Sequence, residues 1–61
     1  LKLSRAQAIL QSNNKIDVEL NGVPVWIDSI DTEQETANIH VEQRPADSRT
    51  VRVEELQEIQ S

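Results

Sequence analysis

Residues 16–27 read Ile16-Asp17-Val18-Glu19-Leu20-Asn21-Gly22-Val23-Pro24-Val25-Trp26-Ile27, two alternating runs on either side of Asn21-Gly22. An Asn-Gly pair between such runs is the strongest short-range hairpin signal, because a type I′ turn needs positive φ at both central residues. Pairing Leu20 with Val23 sets Val18 beside Val25 and Ile16 beside Ile27. Six aliphatic side chains then share one face, while Asp17, Glu19, Pro24 and Trp26 share the other. A slip of one residue would bury Asp17 and Glu19, so the alternation fixes the register.

Working outward, the second strand continues to about Ile30, and Asp31-Thr32-Glu33-Gln34-Glu35 is polar enough to turn the chain. Pairing Ile30 with Thr36 brings Ile27 to Ile39 and Val25 to Val41, with Ser29 and Ala37 further along the same inward face. Pro24 then falls where its missing amide would point toward the third strand, opposite Glu42. On the N-terminal side, Ser4 and Gln7 form a capping-box pattern ahead of a short helix over about Arg5 to Gln11. Leu3, Ala6, Ile9 and Leu10 make its narrow apolar stripe, and Ser12-Asn13-Asn14 ends it. On the C-terminal side, Gln43 to Ser48 has loop composition, Arg49 to Val53 alternates as a fourth strand, and Glu54 to Ile59 reads as a terminal helical turn.

These elements predict one α+β domain over residues 1–61. Its small, strongly bent antiparallel sheet of about four strands curls toward an SH3-like barrel, with short helices at both ends. At 61 residues, and with no Cys to form disulfides or thiolate metal sites, the chain must find its stability in aliphatic packing or in a partner subunit. Eleven acidic and six basic residues give a net charge of −5, which opposes sequence-independent attraction to phosphate. No apolar run approaches the ~20 residues of a membrane span, and the opening residues lack the pattern of a signal peptide. The protein is expected to be soluble, intracellular and without contact to a membrane.

No constellation in the sequence specifies a reaction. His40 is the single histidine and lies outward across from Trp26, where the sequence supplies no positioned partner or walled site for acid–base chemistry. Asp28, Asp31, Glu33 and Glu35 lack the spacing and the glycine of a calcium loop, and read as a solvated turn. No catalytic residue, cofactor-binding residue or metal ligand is assigned. Lys15, Arg44, Arg49 and Arg52 could form a local basic strip, although interleaved aromatics for base stacking are missing. Trp26 is the most informative residue, because on this register it shares its outward face with Ile30 and His40 and needs a cover. The N-terminal helix is one cover, through Leu3, Ile9 and Leu10. A second subunit is the other, and the expected assembly is a symmetric homodimer with Trp26, Ile30 and His40 as the candidate interface.

Three stretches carry a family resemblance: Ser4-Arg5-Ala6-Gln7-Ala8-Ile9-Leu10, the hairpin from Ile16 to Ile27, and Glu35-Thr36-Ala37-Asn38-Ile39. Together with the closing Val51-Arg52-Val53-Glu54-Glu55-Leu56, they resemble the H-type small acid-soluble spore proteins of endospore-forming bacteria. The most specific part is Asn21-Gly22-Val23-Pro24 with an aromatic two residues on. The resemblance implies a non-enzymatic protein made in the forespore late in sporulation and accumulated in the dormant spore core, with no catalytic residues to carry over. DNA protection belongs to the α/β-type spore proteins, a different family whose DNA-binding signature is not recognisable here. The competing reading is a small-barrel nucleic-acid-binding module that uses Lys15, Arg44, Arg49 and Arg52.

Overall fold

The computed structural model describes residues 1–13 and 15–59. Helix α1 (Leu3–Gln11) is followed by β1 (Val18–Leu20), β2 (Val23–Asp31), β3 (Thr36–Val41) and β4 (Arg44–Arg52). A 3-10 turn (Val53–Glu55) then leads into β5 (Leu56–Glu58). The strands form one antiparallel sheet in the order β4-β3-β2-β1-β5.

The central hairpin has the expected register, with Leu20 opposite Val23 and Val18 opposite Val25. Asn21 and Gly22 take φ of 52° and 82°, the left-handed pair that a type I′ turn requires. Val25 continues to Val41, and Ile27 to Ile39. The Glu42 amide donates to the Pro24 carbonyl at 3.1 Å, while Pro24 returns no hydrogen bond to β3. Two members of the anticipated inward face depart from it. Val23, at the hairpin tip, is 44% exposed, and Ile16 lies ahead of the β1 ladder.

A β-bulge at Asp28 corrects the far half of the β2–β3 pairing. The register shifts between Ile27 and Ser29, so Ile30 pairs with Ala37 and Asp31 with Thr36. Ser29 therefore turns outward and Ile30 inward, where it packs against the core. The regular ladder would have buried the Ser29 hydroxyl and exposed an isoleucine, and the extra residue avoids both costs.

The C-terminal third also differs from expectation. Gln43 to Ser48 is not a free loop. β4 starts at Arg44 opposite Val41 and regains register at Ser48 opposite His40, so the intervening residues bulge. Pro45, which has no amide to give a ladder, sits in that bulge. The sheet has five strands rather than four because Leu56–Glu58 pairs with β1 instead of forming a helical turn. A helix of six residues is too short to stand alone, whereas the strand buries Leu56 completely and lets the Ile59 amide donate to the Asp17 carbonyl at 2.9 Å. Only the 3-10 turn remains of the predicted helix, and there the Glu55 carboxylate accepts from the Arg52 amide.

Helix α1 begins earlier than its sequence pattern implies. Lys2 is the N-cap and its carbonyl accepts from the Ala6 amide, so Ser4 lies inside the first turn and no side chain caps the end. This start keeps Leu3 in line with Ala6 and Ile9 over the sheet. Ser12 closes the helix, and Asn14, also expected to end it, lies outside the described residues. The core comprises Ala6, Val18, Val25, Ala37, Ile39, Val53 and Leu56, with no buried polar or charged residue among those described.

Candidate functional site

The outward face of β2, β3 and β4 carries the side chains singled out from the sequence. Trp26 pairs with His40, and His40 with Ser48. The bulge that turns Ile30 inward also aims Asp28 at His40, whose Nδ1 lies 2.8 and 2.9 Å from the two carboxylate oxygens. Sequence reading found no partner for His40, and Asp28 is that partner. In an unbroken ladder, two residues beyond Trp26, Asp28 would lie across from Asn38 rather than His40. The two side chains remain 26% and 48% exposed, so the carboxylate orients the imidazole on an open surface rather than within a dry site. Further along, Asn38 links Ser29 and Thr50 through its side-chain amide.

Trp26 is 40% exposed. It shares a cleft of about 160 Å³ with Ile9, Leu10, Lys15 and Ile16, and Leu10 is itself 41% exposed. Helix α1 thus covers the indole only in part. The Lys15 ammonium stands 5.1 Å from the ring centroid, a cation–π distance, while it contacts Glu42 at 3.2 Å and Asp17 at 3.7 Å. The Glu42 hydrogen bond, aided by its charge, raises the Lys15 pKa. Of the three residues expected at an interface, Trp26 and His40 are neighbours, and Ile30 is withdrawn to the core side.

The four cations do not form one strip. Arg44 and Arg49 line a cleft of about 400 Å³ between the hairpin tip and β4, with Leu20, Val25, Ile39 and Val41 beneath them. Arg52 pairs with Glu54 at 2.9 Å beside a different cleft, near Lys2 and Glu35. Lys15 belongs to the Trp26 cleft. The turn carboxylates also have separate tasks. The Asp31 carboxylate accepts from the amides of Glu33 and Gln34, and Asp28 holds His40. Among the described residues, no group of three or more His, Asp or Glu side chains is arranged to hold a metal.

Sequence reading also missed the tie between the chain's two ends. Arg5 on α1 donates from Nε to Glu58 Oε1 at 2.8 Å and from Nη2 to Glu58 Oε2 at 2.6 Å, a bidentate clamp on β5. Once β5 is placed beside β1, this pair has a reason to exist; before that, nothing links residues so distant in sequence. The Arg5 hydrogen bond holds the Glu58 carboxyl below the ordinary glutamate range.

Geometry of this kind, one helix and a five-stranded antiparallel sheet around a small aliphatic core, defines a compact α+β module. The comparisons give that module its family. A profile of the small acid-soluble spore protein H family matches residues 1–58, and the chain belongs to that family. Small, acid-soluble spore protein H of Bacillus cereus (strain ZK / E33L) is 40% identical over 58 residues, covering 95% of this chain and 98% of the relative. Small, acid-soluble spore protein H 1 of Bacillus anthracis is 38% identical with the same coverage. Small, acid-soluble spore protein H of Clostridium beijerinckii is 53% identical over 36 residues, 59% of this chain and 69% of that relative. No solved structure matches the chain significantly. Family membership makes this a spore protein, and no described helix is long and apolar enough to cross a membrane.

Proposed function

We propose that the protein is a non-enzymatic component of the bacterial spore core, made in the forespore and needed for sporulation or for the properties of the dormant spore. The observation that carries this reading is the family match over residues 1–58. A fluorescent fusion followed through sporulation tests it. Signal should rise in the forespore late in development, and signal confined to the mother cell would overturn the reading.

In a small SH3-like barrel the last strand returns beside the first, and two features support that description: the 3-10 turn between β4 and β5, and the pairing of β5 with β1. Self-association is the second part of the proposal. Trp26 is 40% exposed, which leaves roughly 60–100 Å² of indole in water and on the order of 1.5–2.5 kcal/mol to gain by covering it. Leu10 on the rim of the same cleft extends the apolar surface. A C2 homodimer across Trp26 and His40 uses this surface twice. Sedimentation of the wild type at tens of micromolar should report a dimer and Trp26→Ser a monomer; a monomeric wild type would remove the interface.

Nucleic-acid binding is the competing reading, and the dispersal of Lys15, Arg44, Arg49 and Arg52 over separate clefts weighs against it. Titration with DNA and RNA at two salt concentrations should show no saturable binding. Affinity that falls steeply with salt would favour the nucleic-acid reading instead.

A further inference from the structure

The two edges of the sheet are unequal. β5 is three residues long, and its outward groups at Leu56 are already used: the amide donates to the Val53 carbonyl and the carbonyl accepts from the Leu1 amine. β4 is nine residues long and exposed along almost its whole length. The Val53 amide bonds the Glu35 carbonyl across from β3, and the ladder alternates from there. Arg49 and Val51 therefore bond β3, while Ser48, Thr50 and Arg52 turn their amides and carbonyls outward. Pro45 and its bulge blunt the start of this edge but leave residues 48–52 regular.

The same edge inverts the charge of the molecule. In a chain of net charge −5, β4 carries Arg44, Arg49 and Arg52 against Asp47 alone. Arg49 meets Asp47 only at 3.7 Å, and Arg44 forms no ion pair among the described residues. Both arginines, with Asp47 between them in sequence, line the 400 Å³ cleft that opens over Val25, Ile39 and Val41. A free backbone edge, an apolar cleft and two cations at its rim are the parts from which strand-addition sites are made.

We infer that the β4 edge is a docking site for an extended acidic peptide segment of a partner protein, which adds a sixth strand to the sheet. The peptide backbone pairs with Ser48, Thr50 and Arg52, an apolar side chain enters the cleft, and carboxylates meet Arg44 and Arg49. Charge selects this occupant over a second copy, since two β4 strands side by side would bring their arginines together. This site borders the Trp26–His40 face at Ser48 but does not depend on the proposed dimer.

The test uses acetyl-Glu-Val-Glu-Val-Glu-amide as probe against the isotope-labelled protein, followed by NMR, with acetyl-Lys-Val-Lys-Val-Lys-amide as comparison. Binding of the acidic peptide should shift the amides of Ser48, Thr50 and Arg52 and slow their hydrogen exchange. The basic peptide should bind at least tenfold more weakly. Thr50→Pro removes an outward donor that β3 does not use and should abolish binding with the β3 ladder intact. Arg49→Gln should weaken binding about tenfold. Equal response to both peptides, or no response of β4 up to millimolar peptide, would overturn the inference. So would concentration-dependent shifts of β4 without peptide that persist in Trp26→Ser, which would assign the edge to a second copy, or a DNA oligonucleotide that engages the same amides more tightly than the peptide.

Discussion

Gly22 sits at φ +82° with nothing within 4 Å of the position its Cβ would occupy, so its requirement for glycine is conformational rather than steric. Gly22→Ala should therefore destabilise the fold by about 1–2 kcal/mol, the cost of a left-handed alanine, and this should appear as a lower urea midpoint with an unchanged slope. Glu35 offers the opposite case. It holds φ 55° at the end of the β2–β3 turn without being a glycine, and its carbonyl anchors the Val53 amide. Glu35→Gly should keep that hydrogen bond and stabilise the domain by up to about 1 kcal/mol, measured in the same urea experiment. At this scale the sequence was informative where a residue type has one strong backbone preference. Asn21-Gly22 announced its turn, whereas nothing about Glu35 marks it for a left-handed site.

Among the elements, the central hairpin and the β2–β3 register near Ile27 were legible because alternation over many residues leaves one arrangement that buries the aliphatic face. The bulge at Asp28 was not legible, since a single inserted residue keeps both flanking patterns intact and merely joins them out of phase. That one shift explains why Ile30 left the outward face and how Asp28 reached His40. β5 escaped notice for another reason: three residues are too few to show a period, and a strand at a sheet edge is defined by its partner. The Arg5–Glu58 clamp follows from that placement and makes a pH prediction. Arg5 holds the Glu58 carboxyl low, so folded Glu58 stays charged at a pH where the unfolded chain is protonated. Its contribution is complete above the ordinary glutamate range and is lost as pH falls through the lower, folded value. Protection of the Gln57 and Ile59 amides, which face β1, should fall in acid in the wild type when exchange is referred to the intrinsic rate at each pH. In Arg5→Gln that protection should already be low at neutral pH and change little with acid; identical protection profiles for the two proteins would show that the clamp does not hold β5.

For the whole molecule, composition constrains more than any single side chain. Without cysteine and with one glycine, two prolines and one aromatic residue, the chain builds its core from aliphatic groups and leaves its clefts at the surface. Protonation of its carboxylates in strong acid converts a net acidic protein into a cationic one, because the six Lys and Arg residues remain charged. Strong charge of either sign keeps the chain dispersed, which gives the acid solubility in the family's name a physical basis. The family resemblance was readable at this scale, whereas the partition of the arginines between an open edge and paired surface positions required the fold. The proposed place of this spore protein in the core is tested most directly by mass spectrometry of purified dormant spores, comparing coat extracts with acid extracts of decoated, mechanically ruptured spores. The protein should be recovered from the ruptured cores and be absent from the coats. Recovery from the coat fraction alone, or absence from spores that contain other acid-soluble proteins, would contradict it.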